Sequence, residues 1–183
     1  MPKYCKEALL KFWKEGVIEV IEDIDWILDN CRSKQERALI ITLFLTGARP
    51  SELALLKKED FQKIGNTLWV IIRTKKKGRA RRIPLPLKNK YVSELWEYVK
   101  NLLLGQKAFW QYDTWFRIRN LVYRVTERKY SPYFFRHNRM SLLAIKGASA
   151  QEIKYFKGAR TILSVEPYLH LSTSVMKKLR KYI

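Results

Sequence analysis

The sequence predicts an α+β fold that is mainly α-helical and carries a small antiparallel β-sheet of two to three strands. Two observations indicate this. Apolar residues recur three and four positions apart over most of the chain, as in amphipathic helices. Between residues 66 and 86 this spacing gives way to two short β-rich runs. The chain has 183 residues, 47% of them hydrophobic, and no internal repeat or long linker, so we expect one domain over residues 1–183.

The first third of the chain is predicted to be helical. Residues 18–30 ("IEVIEDIDWILDN") have an uneven but helix-like apolar pattern. Ser33 is a candidate N-cap for the next helix, and Glu36 is placed to complete a capping box. That helix is expected to run to about Thr46 and to end at Gly47.

A corner follows in "LIITLFLTGARPSELALL", where Arg49 stands between two apolar runs. Pro50 suits a first helical turn, so a short helix should run from there to about Leu56. An arginine is almost never buried without a partner. Its partner is either Glu52, in a salt bridge that pins the corner, or an anion from outside the chain.

The two β-rich runs are "NTLWVIIRT" and "RARRIPLP", and the "KKKG" between them predicts an antiparallel hairpin with a glycine-containing turn. Gly65 and Asn66 predict another turn just before it. After Pro86 the apolar spacing becomes helical again, and "STSVMKKLRKYI" predicts a last amphipathic helix. The expected helices lie at about 90–104, 114–127, 133–146 and 149–157, with Gly147 and Gly158 as stop signals.

Charge gives the first indication of function. The 37 Lys and Arg residues against 17 Asp and Glu give a formal net charge of +20. Such an excess favours a nucleic-acid partner over a merely solvated surface or an anionic membrane. Cys5 and Cys31 form neither a disulfide framework nor a metal knuckle, and two histidines are too few for a metal site. We therefore expect an intracellular, cytoplasmic protein without metal, cofactor, small-molecule substrate or membrane span.

Four segments, in this order, resemble the catalytic domain of tyrosine recombinases, the phage integrase family. They are "TGARPSELALL", "TKKKGRARRIPLP", "SPYFFRHNRMSLLAIKGAS" and "KGARTILSVEPYLHL". The resemblance extends from about residue 18 to the C-terminus, and its specificity lies in the order and spacing of all four segments. It implies a protein that cuts and rejoins double-stranded DNA.

The resemblance also implies the chemistry. In this family a tyrosine attacks a backbone phosphorus and forms a 3′-phosphotyrosine, leaving a free 5′-hydroxyl without metal or ATP. Arg49 and Arg136 would neutralise the phosphate, since a guanidinium gives bidentate contacts to its oxygens. Tyr168, ten residues after Gly158, would be the nucleophile. For each of them the alternative is structural: a salt bridge for Arg49, one more helix cation for Arg136, and a buried aromatic for Tyr168.

A hairpin lysine protonates the leaving 5′-oxygen in relatives. Counting back from Ile83-Pro84-Leu85 favours Lys76, which stands in a Lys-x-Gly arrangement like that of relatives, with Lys77 as second choice because a bulge would shift the register. Relatives carry His-x-x-Arg in the second box, whereas this chain has Tyr133 three residues before Arg136. Relatives also carry His or Trp at the position that Ala159 occupies here. Tyr133 can still donate a hydrogen bond to phosphate. Further DNA contacts are expected from Lys75, Lys77, Arg79, His137, Arg139 and Arg160.

Domain organisation follows from the same resemblance. Residues 1–17 would be an extension and residues 169–183 a tail helix, which in relatives docks on a neighbouring subunit, so a homo-oligomer on DNA is expected. The family's N-terminal DNA-clamping domain is expected to be absent. The change at Tyr133 resembles archaeal viral integrases. Two alternatives stay open: a non-catalytic DNA-binding domain of the same fold, and a relaxing enzyme similar to type IB topoisomerases.

Overall fold

The computed structural model describes residues 20–73, 80–110 and 114–169. The strands are β1 (Phe61–Ile64), β2 (Thr67–Ile72) and β3 (Arg81–Pro86). The helices are α1 (Asp25–Asp29), α2 (Lys34–Thr46), α3 (Pro50–Leu53), α4 (Lys90–Val99), α5 (Thr114–Val125), α6 (Pro132–Ile145), α7 (Ala150–Lys157) and α8 (Glu166–Leu169). Short 3₁₀ turns lie at Lys58–Asp60 and Ile162–Ser164. The predicted fold class is confirmed.

Helix α1 is much shorter than the helix expected over residues 18–30. Distant side chains bind the backbone just before it. Asn138 accepts from the Ile21 amide at 2.8 Å and donates to the Ile21 carbonyl at 3.0 Å, and the Tyr91 hydroxyl accepts from the Ile24 amide at 3.1 Å. Because these partners satisfy the backbone without helical hydrogen bonds, the segment stays non-helical up to α1.

Helix α2 forms the centre of the fold and agrees with its prediction. The Ser33 hydroxyl accepts from the Glu36 amide, and Gly47 ends the helix in the left-handed conformation with φ 57°. The Glu36 carboxylate accepts from the amide of Arg32, one residue before the N-cap, instead of from Ser33 itself. Every residue from 38 to 46 is buried. Helices α4 and α6 pack against α2 from two sides.

The sheet is antiparallel, in the order β1-β2-β3. Strand β1 had no counterpart among the predicted runs, because only Phe61 of its four residues is buried. In β3 the buried and exposed residues alternate, and its first residue, Arg81, lies on the buried side opposite Ile72. The lysine-rich hairpin turn lies outside the described residues.

The C-terminal half positions the remaining predicted site residues. Helix α6 begins after Ser131, whose hydroxyl accepts from the Phe134 amide, and Pro132 occupies its first turn. Helix α7 ends at Gly158 with φ 62°. A small second cluster of buried side chains joins α6, α7 and α8: Met140, Ala144, Ile153, Val165 and Tyr168. Within the described ranges, no helix has the length and apolarity to cross a membrane.

Candidate active site

The corner after α2 brings Arg49 against α6. Gly47 makes this close approach possible, because a Cβ there would lie 3.3 Å from Arg139 Cβ and from Met140 Cε and 3.4 Å from the Arg136 Cα. Its left-handed φ of 57° also favours glycine. The turn therefore packs directly against α6, and Arg49, two residues later, lies close enough for its charge to act on Arg136.

Glu52 is the centre of the polar network at this corner. Its carboxylate accepts from the Arg49 amide at 2.8 Å and from Arg49 Nη1 at 2.8 Å, so it both caps α3 and orients the arginine. Arg81 donates two further hydrogen bonds to it, at 2.8 and 3.1 Å. Burial alone would raise the pKa of Glu52, but the hydrogen bonds and charge of Arg81 and the Arg49 amide lower it overall.

Arg49 and Glu52 therefore form the predicted salt bridge, but the cation that is buried together with Glu52 is Arg81. Its side chain is 37% exposed, whereas Glu52 and Arg81 are each 2% exposed. Glu52 keeps a buried cation even without Arg49. The exposed guanidinium of Arg49 is thus oriented by Glu52 and remains accessible to an anion from solvent.

Arg81 is a site residue that the sequence analysis missed. Its Nε donates to the Phe156 carbonyl at 2.9 Å, so it ties β3 to α7 as well as to Glu52. A Cβ at position 158 would lie 2.8 Å from Arg81 Nη1, so Gly158 leaves room for the guanidinium. The available signal was the alternation of β3, which assigns this arginine to an inward position.

Arg136 is held by main-chain oxygens at the ends of two helices. It is 4% exposed; Nη1 donates to the Gly47 carbonyl at 2.7 Å, and Nη2 donates to the Lys157 carbonyl. These carbonyls lie at the C-termini of α2 and α7, where the helix dipole favours a cation. Burial, then the charge of Arg49, lowers the pKa of Arg136 to about 10, so it remains a cation at neutral pH.

Tyr168 and His137 form a pair next to Arg136. Tyr168 is 5% exposed, and its hydroxyl lies 2.5 Å from His137 Nδ1. Burial, then the charges of Lys157 and Arg136, lowers the pKa of His137 to about 4. The imidazole is therefore neutral at physiological pH, and the Tyr168 hydroxyl can donate to it. The DNA contact expected from His137 stays a prediction, but in this structure its ring is turned toward Tyr168.

Lys157 is a second residue that the sequence analysis missed. Its Nζ lies 5.0 Å from the centre of the Tyr168 ring and donates to the Ser164 carbonyl. Burial, then the charges of Arg136 and Arg49, lowers the pKa of Lys157 to about 8. The fourth segment of the sequence analysis, "KGARTILSVEPYLHL", begins with this lysine, but the sequence pattern assigned its side chain no role. That role depends on where α7 ends relative to Tyr168, eleven residues later.

The other predicted positions that the structure describes lie on α6 or just after α7. Tyr133 is 36% exposed in the first turn of α6, and Arg160 is exposed beyond α7. The Arg139 guanidinium lies 5.2 Å from the Phe156 ring, and its Nε has no hydrogen-bond partner among the described residues. Burial lowers the pKa of Arg139. Outside the described residues lie Lys75, Lys76, Lys77, Arg79 and the predicted tail helix after residue 169.

Among the described residues, the site consists of cations and hydrogen-bonding groups around Tyr168. In the described part of the chain, no group of three or more His, Cys, Asp or Glu side chains is placed to hold a metal ion. Arg136 and Lys157 lie near Tyr168, and Arg49, which Glu52 orients, lies close enough for its charge to lower the pKa of both. The arrangement can bind an anion next to a tyrosine hydroxyl.

Comparison with known protein families matches residues 18–174 to the phage integrase family. Curated relatives include the tyrosine recombinase XerD of Staphylococcus aureus strain N315, which is 24% identical over 198 residues; the match covers 97% of this chain and 63% of the relative. XerD of Staphylococcus epidermidis is 25% identical over 194 residues with the same coverage. The chain therefore spans 63% of the length of these relatives.

Solved structures share the fold. One is the site-specific recombinase XerH bound to its palindromic difH substrate in a post-cleavage complex, with a TM-score of 0.70, 19% identity, and coverage of 88% of this chain and 52% of the other. Another is the catalytic domain of bacteriophage HP1 integrase, with a TM-score of 0.62, 19% identity, and coverage of 91% and 95%. At this identity the likeness establishes the mainly helical architecture with its small antiparallel sheet.

Proposed function

Since this chain belongs to the phage integrase family, we propose that it is the catalytic domain of a site-specific recombinase that cuts and rejoins DNA through a 3′-phosphotyrosine. One observation carries the proposal. Arg49, Arg136 and Tyr168 come from three distant segments, and the folded chain gathers them around the end of α2, with Arg136 bound to the Gly47 carbonyl and the neighbouring His137 bound to Tyr168. A set of unrelated structural residues has no reason to converge in this way.

In the proposed reaction the Tyr168 oxygen forms a bond to the scissile phosphorus as the bond from phosphorus to the 5′-oxygen breaks. The proton of the Tyr168 hydroxyl passes to His137 Nδ1, its hydrogen-bond acceptor. Arg49 and Arg136 neutralise the charge that develops on the non-bridging oxygens. The leaving 5′-oxygen takes a proton from Lys76, or from Lys77 if the hairpin register differs. The phosphotyrosine retains the energy of the phosphodiester, so rejoining is the reverse step without ATP.

Two features favour a second candidate, a domain that binds DNA without cutting it. Ala159 has no hydrogen-bonding group where relatives carry His or Trp, and Tyr133 replaces a histidine.

A relaxing activity similar to type IB topoisomerases uses the same phosphotyrosine chemistry and is the third candidate. Relaxation of supercoiled plasmid without metal or ATP would favour it.

The partners and setting belong to the same proposal. Double-stranded DNA fits the formal net charge of +20, and binding through phosphate contacts weakens steeply with salt. The proposal includes a homo-oligomer on DNA, action in the cytoplasm, and an origin in an archaeon or an archaeal virus. Only the tyrosine at position 133 supports that origin; the curated relatives described above are staphylococcal.

The test is covalent trapping. The chain is incubated with a pool of nicked duplexes of random sequence, and adducts that survive denaturing electrophoresis are isolated and their DNA is sequenced. We expect a wild-type adduct that Tyr168→Phe abolishes. Tyr155→Phe is the matched control, because it removes the hydroxyl of an exposed tyrosine on α7.

The result separates the candidates. A wild-type chain that shifts duplex in a native gel but forms no adduct supports the binding-only domain. An adduct that persists in Tyr168→Phe excludes Tyr168 as the nucleophile.

A further inference from the structure

On the side of α7, the site lacks a hydrogen-bonding side chain at position 159. Ala159 offers no hydrogen bond and no charge where the tyrosine recombinases that the chain resembles have a histidine or a tryptophan. Two residues earlier, at the last position of α7, stands Lys157. Its side chain approaches Tyr168 from this side, since its Nζ lies 5.0 Å from the centre of the Tyr168 ring.

Lys157 is fixed at both ends. Its carbonyl accepts from Arg136 Nη2, and its ammonium donates to the Ser164 carbonyl in the 3₁₀ turn that precedes Tyr168. A surface lysine normally keeps its rotamer freedom, and ordering it costs free energy. Here the ammonium is half-buried, and that one carbonyl engages only one of its three donors.

The charges around Lys157 have the same sign as its own. Burial, then the charges of Arg136 and Arg49, lowers the pKa of Lys157 to about 8. Glu52 pairs with Arg49 but also with Arg81, so the cluster keeps a net positive charge, and perturbed pKa values of this kind gather at functional sites. Among the described residues, the titratable and charged groups around this ammonium are Arg49, Arg136, His137 and Tyr168, with Glu52 as the ion-pair partner of Arg49.

We propose that Lys157 is the third cation of the phosphate site and supplies the donor that the chain lacks at position 159. The inference rests on the proposed strand cleavage and deepens it. Lys157 keeps its proton throughout and donates a hydrogen bond to a non-bridging oxygen while negative charge passes from the Tyr168 oxygen to the phosphate. It acts beside Arg49 and Arg136.

The experiment measures the rate of adduct formation on the duplex recovered by trapping, at DNA concentrations far below saturation. The variants are Lys157→Met, the double variant Lys157→Met/Ala159→His, and Lys154→Met as a control from the preceding turn of α7. We expect Lys157→Met to slow cleavage by about a hundredfold, as for the loss of one oxyanion donor. The added histidine should restore at least a tenth of the wild-type rate, and Lys154→Met should leave the rate unchanged.

The pH dependence of the cleavage rate distinguishes a role for the charge of Lys157 from a purely structural role of its hydrogen bond to Ser164. At subsaturating DNA the profile reports the free protein, so the ratio of wild-type to Lys157→Met rates should fall as the pH rises through about 8, where the ammonium loses its proton. If Lys157 only ties Ser164 in place, the ratio is independent of pH and the histidine restores nothing; either result overturns the inference. A wild-type chain that forms no adduct contradicts the proposed function instead, which keeps the two failures distinct.

Discussion

Arg49→Ala separates the two interpretations of the corner arginine. The substitution removes one of the two arginine side chains that pair with Glu52. Because the Arg49 side chain is 37% exposed, its ion pair should contribute about 0–1 kcal/mol, the range of surface salt bridges. Glu52 keeps both hydrogen bonds from Arg81 and the one from the backbone amide of residue 49. At this chain length, 1 kcal/mol lowers Tm by roughly 2–4 °C.

The expected effect on activity is far larger. If Arg49 neutralises the phosphate, its loss removes one preorganised cation from the transition state and should slow adduct formation by about 10²–10³-fold. Both quantities are measured on the same preparations, stability by urea denaturation and cleavage by the trapping assay. Arg117→Ala is the matched control, because it removes one positive charge from an exposed position on α5.

The opposite pattern would refute this reasoning. If Arg49→Ala unfolds at a much lower urea concentration and still cleaves at the wild-type rate, Arg49 is a structural salt bridge. If Arg117→Ala slows cleavage as strongly, the effect reports net charge and not the site.

Three further substitutions test the network around the site. Glu52→Gln leaves the Arg81 guanidinium buried without a counter-ion and should lower the free energy of unfolding in urea by about 3–5 kcal/mol. Because the pKa of Glu52 is lowered in the folded protein, this difference in stability between wild type and variant should be full above the ordinary carboxyl pKa. It should disappear as the pH falls through the lowered pKa. Gly158→Ala should cost about 1–3 kcal/mol through its positive φ and its contact with Arg81, more than Gly147→Ala, whose φ is also positive but whose Cβ meets nothing within 4 Å. His137→Asn keeps a hydrogen-bond acceptor but cannot take the proton of the Tyr168 hydroxyl, so it should slow adduct formation at neutral pH by about 10²–10⁴-fold in the trapping assay, the usual contribution of a general base. A variant that cleaves at the wild-type rate would exclude His137 as the proton acceptor.

The parts of the fold that the sequence predicts are those set by local chemistry. Ser33 caps α2 and Gly47 ends it where the pattern indicated, because a cap needs only residues within one turn. Pro50 starts α3 for the same reason, although α3 ends at Leu53, before the predicted Leu56. The predicted helices at 90–104 and 114–127 are likewise a few residues shorter at their C-terminal ends, at 99 and 125.

The remainder depends on contacts between distant residues. The segment before α1 is not helical because Asn138, 117 positions away from Ile21, takes the backbone hydrogen bonds of Ile21. Arg81 reaches Glu52 across 29 positions. The role assigned to Lys157 depends on where α7 ends relative to Tyr168, and a periodicity argument cannot supply that distance. A motif marks chemistry within a segment; it does not mark the residues that another segment brings to it.

The way Arg136 is held has a consequence for how such a site can change during evolution. Its two ligands are the carbonyl oxygens of Gly47 and Lys157, and every amino acid carries a main-chain carbonyl. The arginine is therefore positioned by the paths of two helices rather than by the side chains at their ends. Position 157 could acquire a lysine, and position 159 an alanine, without moving the arginine. In distant relatives of this fold, the helix ends should accordingly identify the site more reliably than a match of side chains.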